Sequence, residues 1–151
     1  LYVCGFDFQS NGADHGLGLA KIDVASMSLT PISDFSGALR GVGAELTGTG
    51  DARLFGFFEG SPSKLAAIDK SAASTPNVQS LPGVETSSNS AFAFSFWGGD
   101  FWFYTSELVG SSQVTRLKSA TDGSIEVVKQ NLGYKIVGAG VSTCAPTTPP
   151  K

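Results

Sequence analysis

Three stretches of the chain repeat one pattern, and this repeat constrains the fold more than any other feature of the sequence. The clearest copies are Gly18–Val24, Lys64–Lys70 and Gln113–Ser119. Their matching apolar positions, Ile22, Ile68 and Leu117, lie 46 and 49 residues apart. Sequence periods of about 20–50 residues are typical of solenoids, propellers and other arrays of one supersecondary unit. The spacing therefore predicts three similar units, each built from the same few elements.

The composition indicates that these elements are strands. Charged residues make up only 15% of the chain, hydrophobic residues make up 41%, and 19 residues are glycine. This balance suits short strands joined by tight turns better than long amphipathic helices. All-β is therefore the predicted class, and a four-stranded repeat of this length predicts the blade of a β-propeller.

Each unit divides into four strands, A to D, counted from the inside of a blade outward. The B strands are aromatic and β-branched, the C strands carry the repeat, and each D strand follows a turn. The predicted A strands are 44–48, 91–96 and 135–139; the B strands are 1–8, 53–59 and 101–105; the C strands are 18–24, 64–70 and 113–119; the D strands are 28–32, 78–81 and 124–128. The twelve strands assign the blades to residues 1–35 with 135–144, to 44–84 and to 91–131. Residues 145–151 then form a flexible tail rich in Pro and Thr.

Three blades leave a ring open, because closed propellers have about four to eight blades. The sequence therefore predicts a homodimer with a six-bladed ring, in which the last A strand of one subunit pairs with the first B strand of the other. A partner chain or a longer parent chain with more blades is the first alternative. The second is a self-contained prism or sandwich of three sheets.

The two cysteines lie at the strands that would close the ring. Cys4 is in the first B strand and Cys144 ends the last A strand, so adjacent strands bring them within disulfide range. The bond joins two chains in a dimer and stays within one chain in a prism. The other interpretation is two free thiols, Cys4 buried and Cys144 exposed near the tail.

The turns between A and B strands repeat as well, as Gly50-Asp51 and Gly99-Asp100. Together with the Ile-Asp pairs at Ile22 and Ile68, they resemble the repeats of secreted bacterial β-propellers of the NHL, quinoprotein-like and lactonase-like kind. The resemblance covers most of residues 1–144 and implies a propeller fold and an extracytoplasmic location. The two Asp residues themselves are expected to serve the turns.

Few residues offer metal or catalytic chemistry. Asp7, Asn11 and Asp14 supply oxygen ligands for a possible calcium ion, although their spacing matches no EF-hand. Glu45 is the acidic residue on an inner strand and could face a channel. His15 is the only histidine, so a zinc site within one chain is not expected. No nucleophile elbow, phosphate loop or dinucleotide fingerprint occurs, which favours a protein that is not an enzyme.

An aromatic cluster, Phe96–Tyr104, surrounds the second Gly-Asp turn. Alternation places about half of these rings between blades, and Trp97, Trp102 and Tyr104 are the candidate ligand-binding residues. Trp97 is the ring most expected to be exposed.

The remaining bounds exclude two kinds of partner. The net charge of −3 offers no basic stripe for nucleic acid, and no apolar run approaches the roughly 20 residues of a membrane-spanning helix. The sequence thus predicts an extracytoplasmic binding or scaffold module whose ligand is a glycan or a protein. A metal-dependent, lactonase-like or other hydrolase is the alternative, and a self-assembling half-propeller with no ligand is the third.

Overall fold

The computed structural model describes residues 1–6, 16–87, 90–142 and 144–149. It contains eleven strands and a single 3-10 turn, Gly37–Leu39. The strands are β1 (Tyr2–Phe6), β2 (Gly16–Asp23), β3 (Ser28–Ser33), β4 (Ala44–Gly48), β5 (Leu54–Phe58), β6 (Lys64–Ile68), β7 (Val78–Ser80), β8 (Ala91–Trp97), β9 (Asp100–Ser106), β10 (Gln113–Leu117) and β11 (Ile125–Lys129). The predicted all-β class is confirmed.

The strands form three antiparallel sheets in chain order. Sheet I is β1-β2-β3, sheet II is β4-β5-β6-β7, and sheet III is β8-β9-β10-β11. Every strand pairs with its neighbour in sequence, so each sheet is a simple meander. Sheets II and III have the four strands predicted for a blade, whereas sheet I has three. The described part of the single chain does not close into a ring.

Sheet II lies between the other two sheets, and its strand β5 is buried along its whole length. Side chains alternate between the two faces of a strand. Leu54 and Phe58 therefore face sheet I, and Phe55 and Phe57 face sheet III. This double burial explains why β5 is a continuous apolar run rather than an alternating one.

The core between sheets I and II is built around Phe58, which is fully buried. Its ring meets Phe35 edge to face, with centroids 4.9 Å apart. Tyr2, Cys4 and Leu19 come from sheet I to this core. Gly56, two residues earlier on the same face of β5, leaves room for the Phe58 ring, because a Cβ there would lie 2.6 Å from it.

The core between sheets II and III is mostly phenylalanine. Phe57 lies at its centre, 4.7 Å from the Phe103 ring and 5.7 Å from the Phe94 ring. Phe94 and Phe103 stack almost in parallel, at 4° between planes. Sheet II contributes side chains to both cores, so it joins the three sheets into one packed unit.

The Asp of each repeated Ile-Asp pair stabilises the turn that follows a C strand, between β2 and β3 and between β6 and β7. Asp23 Oδ1 accepts the N–H groups of the residues two and three positions later, at 3.0 and 2.9 Å. Asp69 Oδ1 does the same at 2.7 and 3.0 Å. These hydrogen bonds hold the pKa of both carboxyls below the usual value, with Ser26 and Ser71 as the main donors. The pair thus marks the end of a C strand and the start of its turn.

The two Gly-Asp turns are less alike than their sequences. Gly50-Asp51 lies in a five-residue connection between β4 and β5, where Asp51 accepts from Thr49 Oγ1 at 2.5 Å and from Arg53. Gly98-Gly99 alone connects β8 and β9, and both glycines have positive φ, 66° and 84°. Such a two-residue hairpin requires residues that accept positive φ. Asp51 therefore serves a turn as predicted, whereas Asp100 is the first residue of β9.

The sequence predicts a strand at 135–139 and a tail at 145–151. Residues 135–139 form no strand in the single chain, and their predicted pairing with a second subunit stays a prediction. In the predicted tail, Ala145 is only 3% exposed and belongs to the core between sheets II and III, whereas residues 147–149 are exposed.

Candidate assembly and binding surfaces

One face of sheet III is covered by sheet II and the other is open. In β9, Phe101 and Phe103 face the core, so Trp102 and Tyr104 face outward. Cross-strand pairs carry the same division across the sheet: Trp102 lies opposite Ser95 and Arg116, and Tyr104 lies opposite Ala93 and Val114. We call this surface, with Trp97 at its edge, the sheet III outer face.

The three aromatic candidates thus share one surface. Trp97 is 48% exposed, as expected, and Trp102 and Tyr104 are half-buried. Trp102 Nε1 donates to the Trp97 carbonyl at 3.2 Å, and the Tyr104 hydroxyl lies 3.0 Å from Ser95 Oγ. The Trp102 and Tyr104 rings therefore have their polar atoms hydrogen-bonded and present their apolar surfaces for contact.

An ion-pair network crosses the same face. Asp100 is 1% exposed, and its Oδ2 accepts from Arg116 Nε at 2.9 Å and Nη2 at 2.6 Å. The Asp100 carboxyl also accepts the Ala120 N–H at 3.1 Å. The Arg116 guanidinium lies over the Trp102 ring at 5.1 Å, and hydrogen bonding to Asp100 raises the pKa of Arg116. Glu126 joins this network: its carboxylate lies 3.5 Å from Arg116 Nη1 and 2.6 Å from Lys118 Nζ.

Sequence reasoning missed Asp100 because it follows a glycine, as Asp51 does. The available signal was Arg116, which occupies the repeat position that Lys21 and Ala67 hold in the other units. A buried carboxylate on a strand needs such a partner.

The sheet III outer face is the repeat equivalent of a surface that is buried elsewhere in the chain. Cross-strand register aligns Trp102 and Tyr104 with Phe55 and Phe57 of sheet II. Phe55 and Phe57 are 9% and 0% exposed because sheet III covers them. Among the described residues, no sheet covers the same positions on sheet III.

Sheet I has the complementary open surface. Leu19 and Cys4 face sheet II, so Val3, Ala20 and Ile22 face outward together with Leu29, which pairs with Ile22. We call this the sheet I outer face. Leu29 is 58% exposed, and neighbouring Leu1 is 68% exposed.

The register residues show the relation between the open and covered faces most directly. Ile68 and Leu117 are 6% and 1% exposed, each covered by the sheet that precedes its own. Ile22 holds the same position on sheet I, on the face away from sheet II, and it is half-buried. The chain therefore ends in two unlike faces, one apolar and one aromatic with ion pairs.

Cys4 and Cys144 are both free in the single chain. Cys4 Sγ donates to the Ala44 carbonyl at 2.8 Å, whereas Cys144 is exposed next to the segment that packs near Gly50. Burial, and next the charge of Glu45, raise the pKa of Cys4 to about 12. Cys4 is therefore a protonated, unreactive thiol at neutral pH. A bond between two chains stays a prediction.

Of the four metal candidates, only Glu45 lies among the described residues. Asp7, Asn11 and Asp14 lie outside the described residues. Glu45 is on β4, and burial raises the pKa of its carboxyl. Among the residues that the structure describes, no group of three His, Cys, Asp or Glu side chains could hold a metal ion.

A cleft of about 810 Å³ opens between the β7–β8 and β9–β10 connections. Hydroxyl and amide side chains dominate its lining, and its two carboxylates, Glu85 and Glu107, are both exposed. This lining offers hydrogen bonds but no paired acid and base held in a buried setting.

In the described ranges, no helix is long and apolar enough to cross a membrane. Comparison of the chain with protein-family models, with curated proteins and with solved structures finds no match. The resemblance to secreted bacterial propeller repeats therefore remains a prediction, and the function has to be argued from the two outer faces.

Proposed function

We propose that this chain is a binding or scaffold module without chemistry of its own, which works by assembling with a second copy. The sheet III outer face of one copy packs on the sheet I outer face of the other, and two such contacts join six sheets into a propeller-like ring. An extracytoplasmic location belongs to the same proposal. Its support is the low charge content and the Ser- and Thr-rich surface of the chain.

One observation carries the proposal: the two open faces have the register of the two covered ones. Trp102 stands where Phe55 meets sheet III, and Ile22 stands where Ile68 meets sheet I. A sheet III outer face placed on a sheet I outer face thus repeats the contact that already occurs twice in the chain. Because both open faces are used once per copy, two copies satisfy them with closed symmetry.

The side chains suit such a contact. Tyr, Trp and Arg contribute most strongly to protein interfaces, and all three occur on the sheet III outer face. The opposite surface consists of aliphatic residues, which lose only water on being covered. A hydrolase has no comparable support, because the described carboxylates form no convergent set.

A second candidate function, glycan binding, has one favourable observation. Trp97 lies beside the Gly98-Gly99 turn with almost half of its surface in solvent, and a flat exposed indole can stack on a sugar ring. Replacement of Trp97 by Ala should abolish glycan binding, measured on a glycan array or by calorimetry.

The mass in solution tests the assembly. Multi-angle light scattering at micromolar concentration should give twice the chain mass of 15.6 kDa. Val114→Lys on the sheet III outer face and Leu29→Lys on the sheet I outer face should each produce a folded monomer, because a charge would enter an apolar contact. Val109→Lys is the matched control, since Val109 is 86% exposed in a loop away from both faces. A monomeric wild-type protein, or face variants that remain dimeric, would contradict the proposal.

A further inference from the structure

The segment Cys144–Thr147, here called the strap, lies across the A–B turns of sheets II and III. Ala145 enters the core between these sheets and is 3% exposed. The Pro146 carbonyl accepts the Gly99 N–H at 3.2 Å. The strap therefore covers the end of the core with one small side chain and one backbone hydrogen bond.

The turns form a groove that fits a peptide backbone closely. A Cβ at Gly50 would lie 2.0 Å from the Ala145 carbonyl oxygen, and a Cβ at Gly99 would lie 2.7 Å from the Thr147 carbonyl oxygen. Any side chain at either position would collide with the strap. The two repeated glycines thus leave space for a passing chain, in addition to shaping their turns.

The strap is joined to sheet III by a connection that has few contacts of its own. Residues 137–140 are exposed, and none of the hydrogen bonds found in the described part of the chain involves them. Before this connection, backbone hydrogen bonds tie the chain to Ser112, whose N–H donates to the Tyr134 carbonyl and whose carbonyl accepts the Leu132 N–H; this is the Ser112 anchor. Between these residues and the strap, Val141 packs against the core between sheets II and III. Release of the strap, with loss of the Val141 contact, would leave the sheets and the Ser112 anchor in place.

We propose that the groove over Gly50 and Gly99 is a binding site for an extended peptide that has a small residue followed by proline. The chain's own strap is its resident ligand and blocks other peptides. The small residue fills the space at the end of the core, the following carbonyl accepts from Gly99, and proline is suited to this position because it has no N–H to satisfy. This site is separate from both outer faces and does not depend on assembly.

Removing the resident ligand tests the site in the full chain. Ala145→Asp should expel the strap, because a carboxylate cannot enter an apolar core unpaired. The probe is a capped synthetic peptide with the sequence of residues 144–149 and serine in place of Cys144. Fluorescence of Trp97, next to Gly98, reports binding. We expect saturable binding of the peptide to Ala145→Asp. Its affinity for wild type, whose groove is filled, should be at least about tenfold lower.

Two controls make the result specific. Gly50→Ala combined with Ala145→Asp should lose peptide binding, because the added methyl group occupies the place of a peptide carbonyl. A peptide with Asp at the position of Ala145 should not bind. Equal binding to the Gly50→Ala combination, or no saturable binding to Ala145→Asp, would overturn the proposal.

A milder variant keeps the test valid if Ala145→Asp fails to fold. Ala145→Gly removes only the buried methyl group, so it weakens the strap and leaves the core intact. The peptide should bind Ala145→Gly more tightly than wild type and should raise its melting temperature. Failure of both effects in a folded variant would count against the groove as a peptide site.

Discussion

The middle sheet and the two end sheets share one strand plan but differ in how much of it is covered. In sheet II, the alternating residues of β5 are buried on both faces. In sheet III, Phe103 is fully buried whereas its neighbour Trp102 is half-exposed. The repeat therefore sets which positions are apolar, and the place of a sheet in the stack sets which of them lose contact with water. Substitutions on the two kinds of face should separate these effects.

The largest expected effect is a truncation in the core between sheets II and III. Phe103→Ala removes a fully buried ring that lies 4.7 Å from Phe57, and it should cost about 3–5 kcal/mol of unfolding free energy. Trp102→Ala on the same strand is the matched control and should cost about 1 kcal/mol in the monomer. Urea denaturation measures both. Equal losses would mean that the sheet III outer face is as important to the single chain as the core.

The next effect concerns the buried carboxylate on the outer face. Arg116→Met leaves Asp100 with one backbone donor, and an uncompensated buried charge should cost about 3 kcal/mol. Arg53→Met removes the equivalent partner of Asp51, a pair in which the side chains are 59% and 47% exposed. That control should lose less than about 1 kcal/mol. A small loss for Arg116→Met would show that Asp100 is not held as the structure indicates.

Alkaline pH should weaken the core between sheets I and II through Cys4. Its pKa in the folded chain, about 12, exceeds the ordinary value of 9.0. The folded chain thus holds the thiol proton more tightly than the unfolded chain. This contribution to stability is complete below pH 9 and is lost as the pH rises toward 12, at most about 1.4 kcal/mol per pH unit. Denaturation at several pH values should show a flatter curve for Cys4→Ala, whereas Cys144→Ala should follow wild type.

The smallest expected effect is at Glu45. Burial raises the pKa of its carboxyl above the usual 4.5, so the folded chain favours the protonated form. Its contribution to stability is complete below the ordinary value and is lost as the pH rises through the raised value. Glu45→Gln should therefore have a higher melting temperature than wild type near pH 7, and the difference should vanish near pH 4. Glu85→Gln, at an exposed loop position, should leave the melting temperature unchanged at both pH values.

The strands were predictable where periodicity and turn chemistry agreed. Ile22, Ile68 and Leu117 fixed the register of the C strands, although the predicted strands 18–24, 64–70 and 113–119 run one or two residues beyond the observed ends. Residues 135–139 form no strand in the single chain, because a strand needs an edge to pair with and the edge predicted for them belongs to a second subunit. The strap could not be predicted, because the burial of Ala145 depends on two distant glycines that make space for it.

The candidate surfaces were predictable only in part. Trp97, Trp102 and Tyr104 were named from their residue types, but their common face required the cross-strand register. The buried role of Asp100 depends on Arg116, sixteen positions away. Such long-range pairs leave little trace in a single sequence.

Strand β5 has a consequence for how the molecule comes apart. Because its residues belong to both cores, losing either end sheet would expose half of the most apolar strand to water. Separate melting of sheet I or sheet III is therefore costly, and the three sheets should unfold together in one transition. The amides of β5 should exchange with solvent deuterium only when the entire chain opens, more slowly than those of β3 or β11 at the periphery.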